Sequence, residues 1–457
     1  MEMNGQKVLV VGMARSGVAA ARFAASRGAV VTVNDARPLE SFGADAAELQ
    51  GEGITVVAGG HPVELFTTAN LVVVSPGVPA DAEPLVAARG AGVPVISEVE
   101  LASRFLRGRI CGITGSNGKT TTTTLIGQML ADAGFTVSVA GNIGTPLVAT
   151  VDTSTDDTWH VVEFSSFQLE LIDTMRVHSA VVLNITPDHL DRHRTLVAYA
   201  AAKARIVENQ TAEDLAVLNA DDPLVAELAD ATPARVTFFS RAGDLGAGVC
   251  RRDDRLVWRA AGGIVEDLID IADIPLFGEH NLENVCAALA VGRDLGIPTE
   301  RMVATISAFA GVEHRLERVV DIDDVVFFND SKATNTDAAI KAIEAFDGRP
   351  GQTVAILGGI GKGQDFSVLA PVARGRVRHA VLIGEAADEI DRALEGVCPT
   401  TRASSMGDAV RLAREVAEPG DRVVLAPACS SFDMFENFEH RGRIFKQEVE
   451  ALARVRA

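Results

Sequence analysis

Lysine is scarce in this 457-residue chain: only positions 7, 119, 203, 332, 341, 362 and 446 carry it, among 42 cationic residues. Positive charge is short overall, since 62 acidic side chains leave a formal charge of −20. That balance argues against nucleic acid or anionic lipid as a partner, because both call for a basic face. Cysteine is sparse as well. Cys111, Cys250, Cys286, Cys398 and Cys429 are odd in number, widely scattered and never in a CxxC pair, so neither a disulfide framework nor a zinc site is expected. Long hydrophobic runs are missing too. The first, Val8 to Val11, is broken at once by Gly12 and is too short for a signal or membrane segment, so a cytoplasmic, membrane-free protein is expected.

What is present is ordinary globular material, 47% hydrophobic and 23% charged, with no low-complexity tract or short-period repeat. The length implies about three domains. Any anionic substrate must meet locally concentrated positive charge. Four of the seven lysines, Lys119, Lys203, Lys332 and Lys362, fall in the segments singled out below. In a chain that otherwise uses arginine, a retained lysine suits chemistry needing a compact ammonium or a deprotonatable amine.

The apolar pattern alternates strand and helix three times. Strands are expected at 7–11, 30–34 and 71–74, with helices over 18–27 and 83–89. A fresh strand at 110–113 follows Arg107-Gly108-Arg109, and more are expected at 137–140, 160–164, 180–183 and 215–218. The stretch 232–276 reads as an inserted small sheet. A third alternation has strands at 325–328, 353–357, 380–383 and 422–426. The expected fold is therefore α/β with doubly wound parallel sheets in three domains, 1–107, 108–311 and 312–457.

The strongest local signal is Thr114-Gly115-Ser116-Asn117-Gly118-Lys119-Thr120-Thr121, lying between a strand and a helix, where backbone N–H groups can cradle phosphates. Its match to the strict phosphate-loop pattern fails at one position, where Ile113 replaces the first glycine. Lys119 is placed to reach the β- and γ-phosphates, and Thr120 to bind Mg²⁺. Downstream, Glu163 ends an expected strand, and Asp188-His189 follows another through Thr186-Pro187. Glu163 and His189 are candidate metal ligands, with an exposed strand-end glutamate and a structural histidine as the alternatives. Lys203 lies in an Ala-rich helical stretch and reads, on composition alone, as a solvated helix lysine.

Near the N-terminus, Gly12-Met13-Ala14-Arg15-Ser16-Gly17 with Asp35 eighteen residues later is a dinucleotide fingerprint whose middle glycine has become Ala14. The added methyl group obstructs close backbone approach to a pyrophosphate. A structural tight turn, or a diphosphate presented differently at the helix N-terminus, remains open. In the last third, the loops at 329–335, 358–363 and 430–433 each follow an expected strand, which puts three polar loops at one sheet edge.

These segments together resemble the Mur ligases across the whole chain. TGSNGKTT is similar to that family's ATP loop, including its one-residue departure. Gly141-Asn142-Ile143-Gly144, Glu163-Phe164-Ser165-Ser166-Phe167-Gln168-Leu169, Asp188-His189-Leu190-Asp191-Arg192, Gly278-Glu279-His280-Asn281-Leu282-Glu283-Asn284, His314-Arg315, Asn329-Asp330-Ser331-Lys332-Ala333-Thr334-Asn335 and Asn437-Phe438-Glu439-His440-Arg441-Gly442 follow in the family's order. The 329–335 segment resembles the D-glutamate-adding members.

The resemblance implies ATP-dependent joining of D-glutamate to UDP-N-acetylmuramoyl-L-alanine through an acyl phosphate, in peptidoglycan precursor synthesis, by a monomer. It implies a Rossmann-like first domain for the UDP-sugar, a central ATP-binding domain and a Rossmann-like third domain for the amino acid. It further implies that Gly115, Ser116, Asn117, Gly118, Lys119, Thr120 and Thr121 hold ATP phosphates, with Asn281, Asn284, Arg315 and Asp330 around adenosine. Thr120, Glu163, His189 and a carbamoylated Lys203 would hold two Mg²⁺ ions. Arg15, Ser16, Asp35 and Arg37 would take the UDP end, and Asn142 and Ser165 the muramoyl-alanine portion. Lys332, Thr334, Lys362, Ser431 and Phe438 would position D-glutamate. Another Mur ligase, folylpolyglutamate synthase and a nicotinamide-binding sensor are the competing readings.

Overall fold

The computed structural model describes residues 2–456, apart from the side chains of Asp191, Val455 and Arg456. The chain forms two compact units, Met1–Ile274 with Leu282–Ser307, and Pro275–Asn281 with Ala308–Ala457.

In the first unit, strands β1 (Lys7–Val11), β2 (Val30–Asp35), β3 (Thr55–Ala58), β4 (Leu71–Val74) and β5 (Val95–Ser97) make a parallel sheet in the order β3-β2-β1-β4-β5. Runs such as Val8 to Val11 are buried along their length, as helices on both faces require. The first helix, Arg15–Ser26, begins three residues before the expected start. Gly17 sits inside its first turn, where an added Cβ would lie 1.9 Å from the Gly12 carbonyl oxygen. Glycine there lets the helix begin tight against the end of β1, rather than marking a longer turn.

A second sheet in this unit comprises β6 (Arg109–Thr114), β7 (Thr136–Gly141), β8 (Thr158–Glu163), β9 (Ser179–Val182), β10 (Leu215–Asn219), β11 (Arg235–Ser240), β12 (Gly248–Arg252), β13 (Arg255–Arg259) and β14 (Val265–Asp270). Their order is β14-β13-β12-β11-β10-β9-β6-β8-β7. The short strands expected within 232–276 are present, but they lengthen this sheet instead of forming their own: β11 pairs β12 in parallel through Phe239 and Ser240, and two antiparallel pairings follow. β6 is an inner strand, flanked by β8 and β9, so the turn after it sits beside the ends of both neighbours. An extended apolar core in this unit includes Val10, Phe23, Leu101, Val148, Phe164 and Tyr199, and a second around Leu9, Val11, Phe66 and Leu85 lies on the other face of the first sheet.

The second unit holds β15 (Glu317–Ile322), β16 (Val325–Asn329), β17 (Thr353–Gly358), β18 (Val377–Ile383), β19 (Thr400–Arg402) and β20 (Arg422–Leu425), ordered β15-β16-β20-β17-β18-β19. β15 was not expected. It pairs antiparallel with β16 across a two-residue turn in which Asp323 and Asp324 both have positive φ, 51° and 61°. That hairpin turn usually advertises itself with glycine, and two aspartates do not. β20 inserts between β16 and β17, so the loops at 329–335, 358–363 and 426–433 leave three adjacent strands on the same edge. Among the described residues, no helix is long and apolar enough to cross a membrane.

Candidate active site

The loop after β6 turns on two glycines. Gly115 (φ 153°) and Gly118 (φ 83°) have backbone conformations that side chains disfavour, and Gly118 caps the helix Lys119–Asp132. Asn184 fixes the loop by accepting from the Ser116 and Asn117 N–H groups, through its carbonyl at 2.8 Å and its side chain at 2.8 Å. Ser116 Oγ donates to Thr186 O at 2.9 Å and lies 3.2 Å from the Tyr199 hydroxyl. Lys119 Nζ rests on the Gly115 and Ser116 carbonyls, both at 2.8 Å.

Glu163, at the end of β8, is 2% exposed, which removes the exposed strand-end alternative. Its Oε2 accepts from Thr120 Oγ1 at 2.8 Å and its Oε1 from Asn142 Nδ2 at 2.8 Å. Loop, carboxylate and Asn142 therefore form one cluster. Thr122 Oγ1 donates to Asn284 Oδ1 at 3.1 Å, which brings Asn284 to the helix that starts at Lys119. Ser165 opens the next turn as a reciprocal cap with Gln168.

Lys203 is the largest departure from the composition-based reading. It is 1% exposed, and its Nζ donates to Gly115 O at 2.7 Å and stands 4.6 Å from the centre of the Tyr199 ring. Burial, then the neighbouring Lys119 charge, pushes its pKa down to about 6, against opposing pulls from Asp188 and Glu163. His189 is half exposed, adopts φ 51°, and packs 5.0 Å from the Phe167 ring, with Asp188 Oδ2 3.6 Å away. Hard oxygen donors at Thr120 and Glu163 suit Mg²⁺; a lysine amine suits it only once carbamoylation adds two oxygens.

In the first sheet, Asp35 does not stand open as in a dinucleotide site. Its carboxylate accepts from Met13 N (2.9 Å), Arg37 N (3.0 Å) and the Arg37 guanidinium (2.9 and 3.1 Å). Burial alone would raise its pKa, yet these bonds hold it down to about 2. Arg37 also covers the Phe42 ring at 4.6 Å. Arg15 is exposed and Ser16 partly so, at the start of the helix beside Gly12.

Within the second unit the three polar loops are clasped. Ile360 and Ser430 exchange backbone hydrogen bonds at 3.0 and 3.1 Å. Gln364 accepts from Thr336 N and donates to Gly361 O and Ala428 O, touching all three loops. Arg441, with no exposed surface, donates to Ser331 Oγ (2.9 Å), Ser331 O (2.8 Å) and Cys429 O (3.1 Å), and burial lowers its pKa to about 10. Lys332 Nζ lies 3.9 Å over the Phe438 ring, while Lys362 is exposed at φ 50° and Ser431 is buried. Thr334 is half-buried in the same turn as Lys332. Burial raises the Asp330 carboxyl to about 7, opposed by Arg315 and the Leu316 N–H. Asn281 donates to Phe277 O at 2.6 Å.

Sequence reasoning gave no role to Tyr199, Asn184, Gln364 or Arg441, although Arg441 lies in a segment it singled out. Tyr199 carries the one signal that could have flagged it, as the only tyrosine in the chain.

A glycine-bracketed phosphate loop after an inner parallel strand, its lysine, and a buried carboxylate on the loop threonine define a nucleotide-binding α/β enzyme. Three family models match: Mur ligase MurD-like, N-terminal domain over residues 6–97, Mur ligase middle domain over 113–292, and Mur ligase, glutamate ligase domain over 314–429. The chain is 50% identical to the UDP-N-acetylmuramoylalanine–D-glutamate ligase of Acidobacterium capsulatum, covering 98% of this chain and 97% of that protein. It is 45% identical to the ligase of the same name from Koribacter versatilis, covering 99% of each. Its fold resembles the crystal structure of UDP-N-acetylmuramate-alanine ligase MurC from Thermotoga maritima, at a TM-score of 0.59 and 18% identity over 98% of this chain and 100% of that one. The chain belongs to the Mur ligase family.

Proposed function

We propose that the chain catalyses ATP-dependent ligation of D-glutamate to UDP-N-acetylmuramoyl-L-alanine in cytoplasmic peptidoglycan precursor synthesis, acting as a monomer. The observation that carries this reading is the 50% identity to a D-glutamate ligase along 98% of the chain, end domains included. The local geometry supports it through the cluster of Lys119, Thr120, Glu163 and Lys203 around one phosphate loop.

We assign residues 1–107 to the UDP-sugar, 108–311 to ATP and 312–457 to the amino acid. Arg15, Ser16, Asp35 and Arg37 take the UDP end; Asn142 and Ser165 take the muramoyl-alanine portion. Lys119 and the loop residues 115–121 hold the phosphates, with Asn281, Asn284, Arg315 and Asp330 around adenosine. Lys332, Thr334, Lys362, Ser431 and Phe438 hold D-glutamate. Thr120, Glu163, His189 and carbamoylated Lys203 are the ligands for two Mg²⁺ ions, which when bound offset phosphate charge. Carbamoylation would join the neutral amine to CO₂, giving the N-carboxylate and releasing a proton.

The alaninyl carboxylate attacks the γ-phosphorus, ADP departs, and Lys119 stabilises charge on the transferred group. The D-glutamate amine then attacks the acyl phosphate carbonyl; its proton and inorganic phosphate leave, and the amide remains. The test is ADP release by the purified protein with D-Glu, L-Glu, L-Ala and diamino acids, each with and without the UDP substrate. Turnover only with D-Glu and the UDP substrate is expected. Turnover indifferent to either, or a preference for another amino acid, overturns the reading.

A further inference from the structure

The connection between the first two sheets carries two glutamates that the mechanism does not use. Ser97 caps the helix Glu98–Ser103, and both Glu98 and Glu100 are buried, at 1% and 0% exposure. Two residues apart on a helix, they point to different sides. Glu100 is fully satisfied: it accepts from Asp173 N, Thr174 N, Thr174 Oγ1, Met175 N and Arg104 Nε at 2.7 to 3.2 Å. It anchors the turn after Leu171 and needs no further role.

Glu98 is different. Its Oε1 accepts one hydrogen bond, from Val148 N at 2.7 Å, and among the described residues its buried Oε2 has no partner. A carboxyl held dry with one oxygen unmatched costs free energy, so packing does not account for it. Val148 N is one of the open donors at the start of the short helix Leu147–Thr153. That helix closes the loop in which Gly141 N donates to Thr145 O and Asn142 N donates to Glu163 O, both at 2.9 Å. Asn142 Nδ2 is then aimed at Glu163 Oε1. A single bond from Glu98 thus fixes the far end of the loop whose near end presents Asn142.

We propose that Glu98 is a positioning residue, which sets the 141–148 loop so that Asn142 meets the carboxylate-bearing sugar nucleotide. This rests on the substrate assignment above. Glu98 touches no substrate; it acts through Val148 and the loop. The acceptor oxygen is what matters, so a neutral amide in the same place serves.

The test is steady-state kinetics of full-length Glu98→Gln, Glu98→Asp and Glu98→Met, with thermal midpoints measured alongside. Glu98→Gln should keep the KM for UDP-N-acetylmuramoyl-L-alanine within about twofold. Glu98→Met, leaving Val148 N unmatched, should raise it about tenfold with the KM for ATP unchanged. Glu98→Asp, drawn back from Val148, should fall between and covers the case in which the Met variant fails to fold. In an Asn142→Ala background the Glu98→Met or Glu98→Asp effect on KM should vanish. A folded Met or Asp variant with unchanged KM, an equal rise in both KM values, or an effect that persists without Asn142 overturns the proposal. Wild-type protein that consumes ATP without both substrates overturns the substrate reading, and this inference falls with it.

Discussion

Replacing Lys203 offers the sharpest test of the site, because its burial makes a quantitative demand. An ordinary lysine near pKa 10.4 has roughly one neutral amine in about 2,500 at pH 7. With its pKa pushed down to about 6, Lys203 is mostly neutral at that pH, a gain on the order of a thousandfold in amine able to attack CO₂. Activity of the wild-type enzyme should therefore depend on dissolved CO₂ in degassed buffer, and that activation should fade as pH drops through about 6, where the amine protonates. Lys203→Ala should lose on the order of 100-fold or more in kcat, as removal of a metal-supporting group does, and recover partly with added short-chain carboxylate. Lys203→Arg should stay inactive and resist rescue, because guanidinium fills the space and forms no such carbamate. ADP release across a bicarbonate series reads all three. Wild-type rates indifferent to bicarbonate, together with an active arginine variant, would refute the reasoning. The same shift has a stability consequence: the folded pKa lies below the ordinary 10.5, so the unfolded chain binds more protons between about pH 6 and 10.5. Lys203's contribution therefore makes stability rise with pH across that window.

Three further outcomes are expected. Glu163→Gln turns an NH₂ toward Thr120 or Asn142, so ADP release should fall on the order of 100-fold while the thermal midpoint moves little. Arg441→Met strands the Ser331 and Cys429 acceptors in a dry site; urea unfolding should show a loss of about 3 kcal/mol, and the KM for D-glutamate should rise more than that for ATP. Asp35, held at about 2 in the folded state and near 4 when unfolded, contributes stability that is complete above about pH 4 and lost as pH falls through 2. The difference in thermal midpoint between wild type and Asp35→Asn should accordingly be constant above about pH 5 and close toward pH 2.

Most strands were legible because each is a short β-branched run between turn residues. Lys7–Val11, Leu71–Val74 and Thr353–Gly358 fall within a residue of the expected spans. β3, β5 and β19 were passed over as runs of only three or four residues, and other misses were set by pairing rather than pattern. β15 begins with Glu317 and Arg318, turns on two aspartates, and exists because β16 offers it an edge. The strands within 232–276 looked like a separate sheet because they are short, whereas two residue pairs between β11 and β12 join them to the central one. The loops were readable as ligand-binding by their place after strands. Their mutual clasp was not, since Gln364 and Arg441 do their work from positions whose neighbours come from three different strand ends.

Lys203 shows most clearly where sequence stops and geometry takes over. Its helix, Leu196–Ala204, is alanine-rich on several sides, so apolar spacing does not say which face is buried. The fold answers by placing Lys119 and Lys203 on the same Gly115 carbonyl, at 2.8 and 2.7 Å. Their nitrogens therefore lie no more than about 5.5 Å apart. Two full charges at that separation repel by at least about 3 kcal/mol even at an effective dielectric of 20, in addition to the cost of burying the second. Both effects lower the pKa of Lys203, the lysine without exposure, and burial is the larger of the two. Lys119 is part-buried at the mouth of the loop, while Lys203 is sealed beneath it. On the proposed function, the two lysines that meet at Gly115 divide the labour, one as an ammonium for phosphate and the other as the amine that takes CO₂, a role arginine cannot fill.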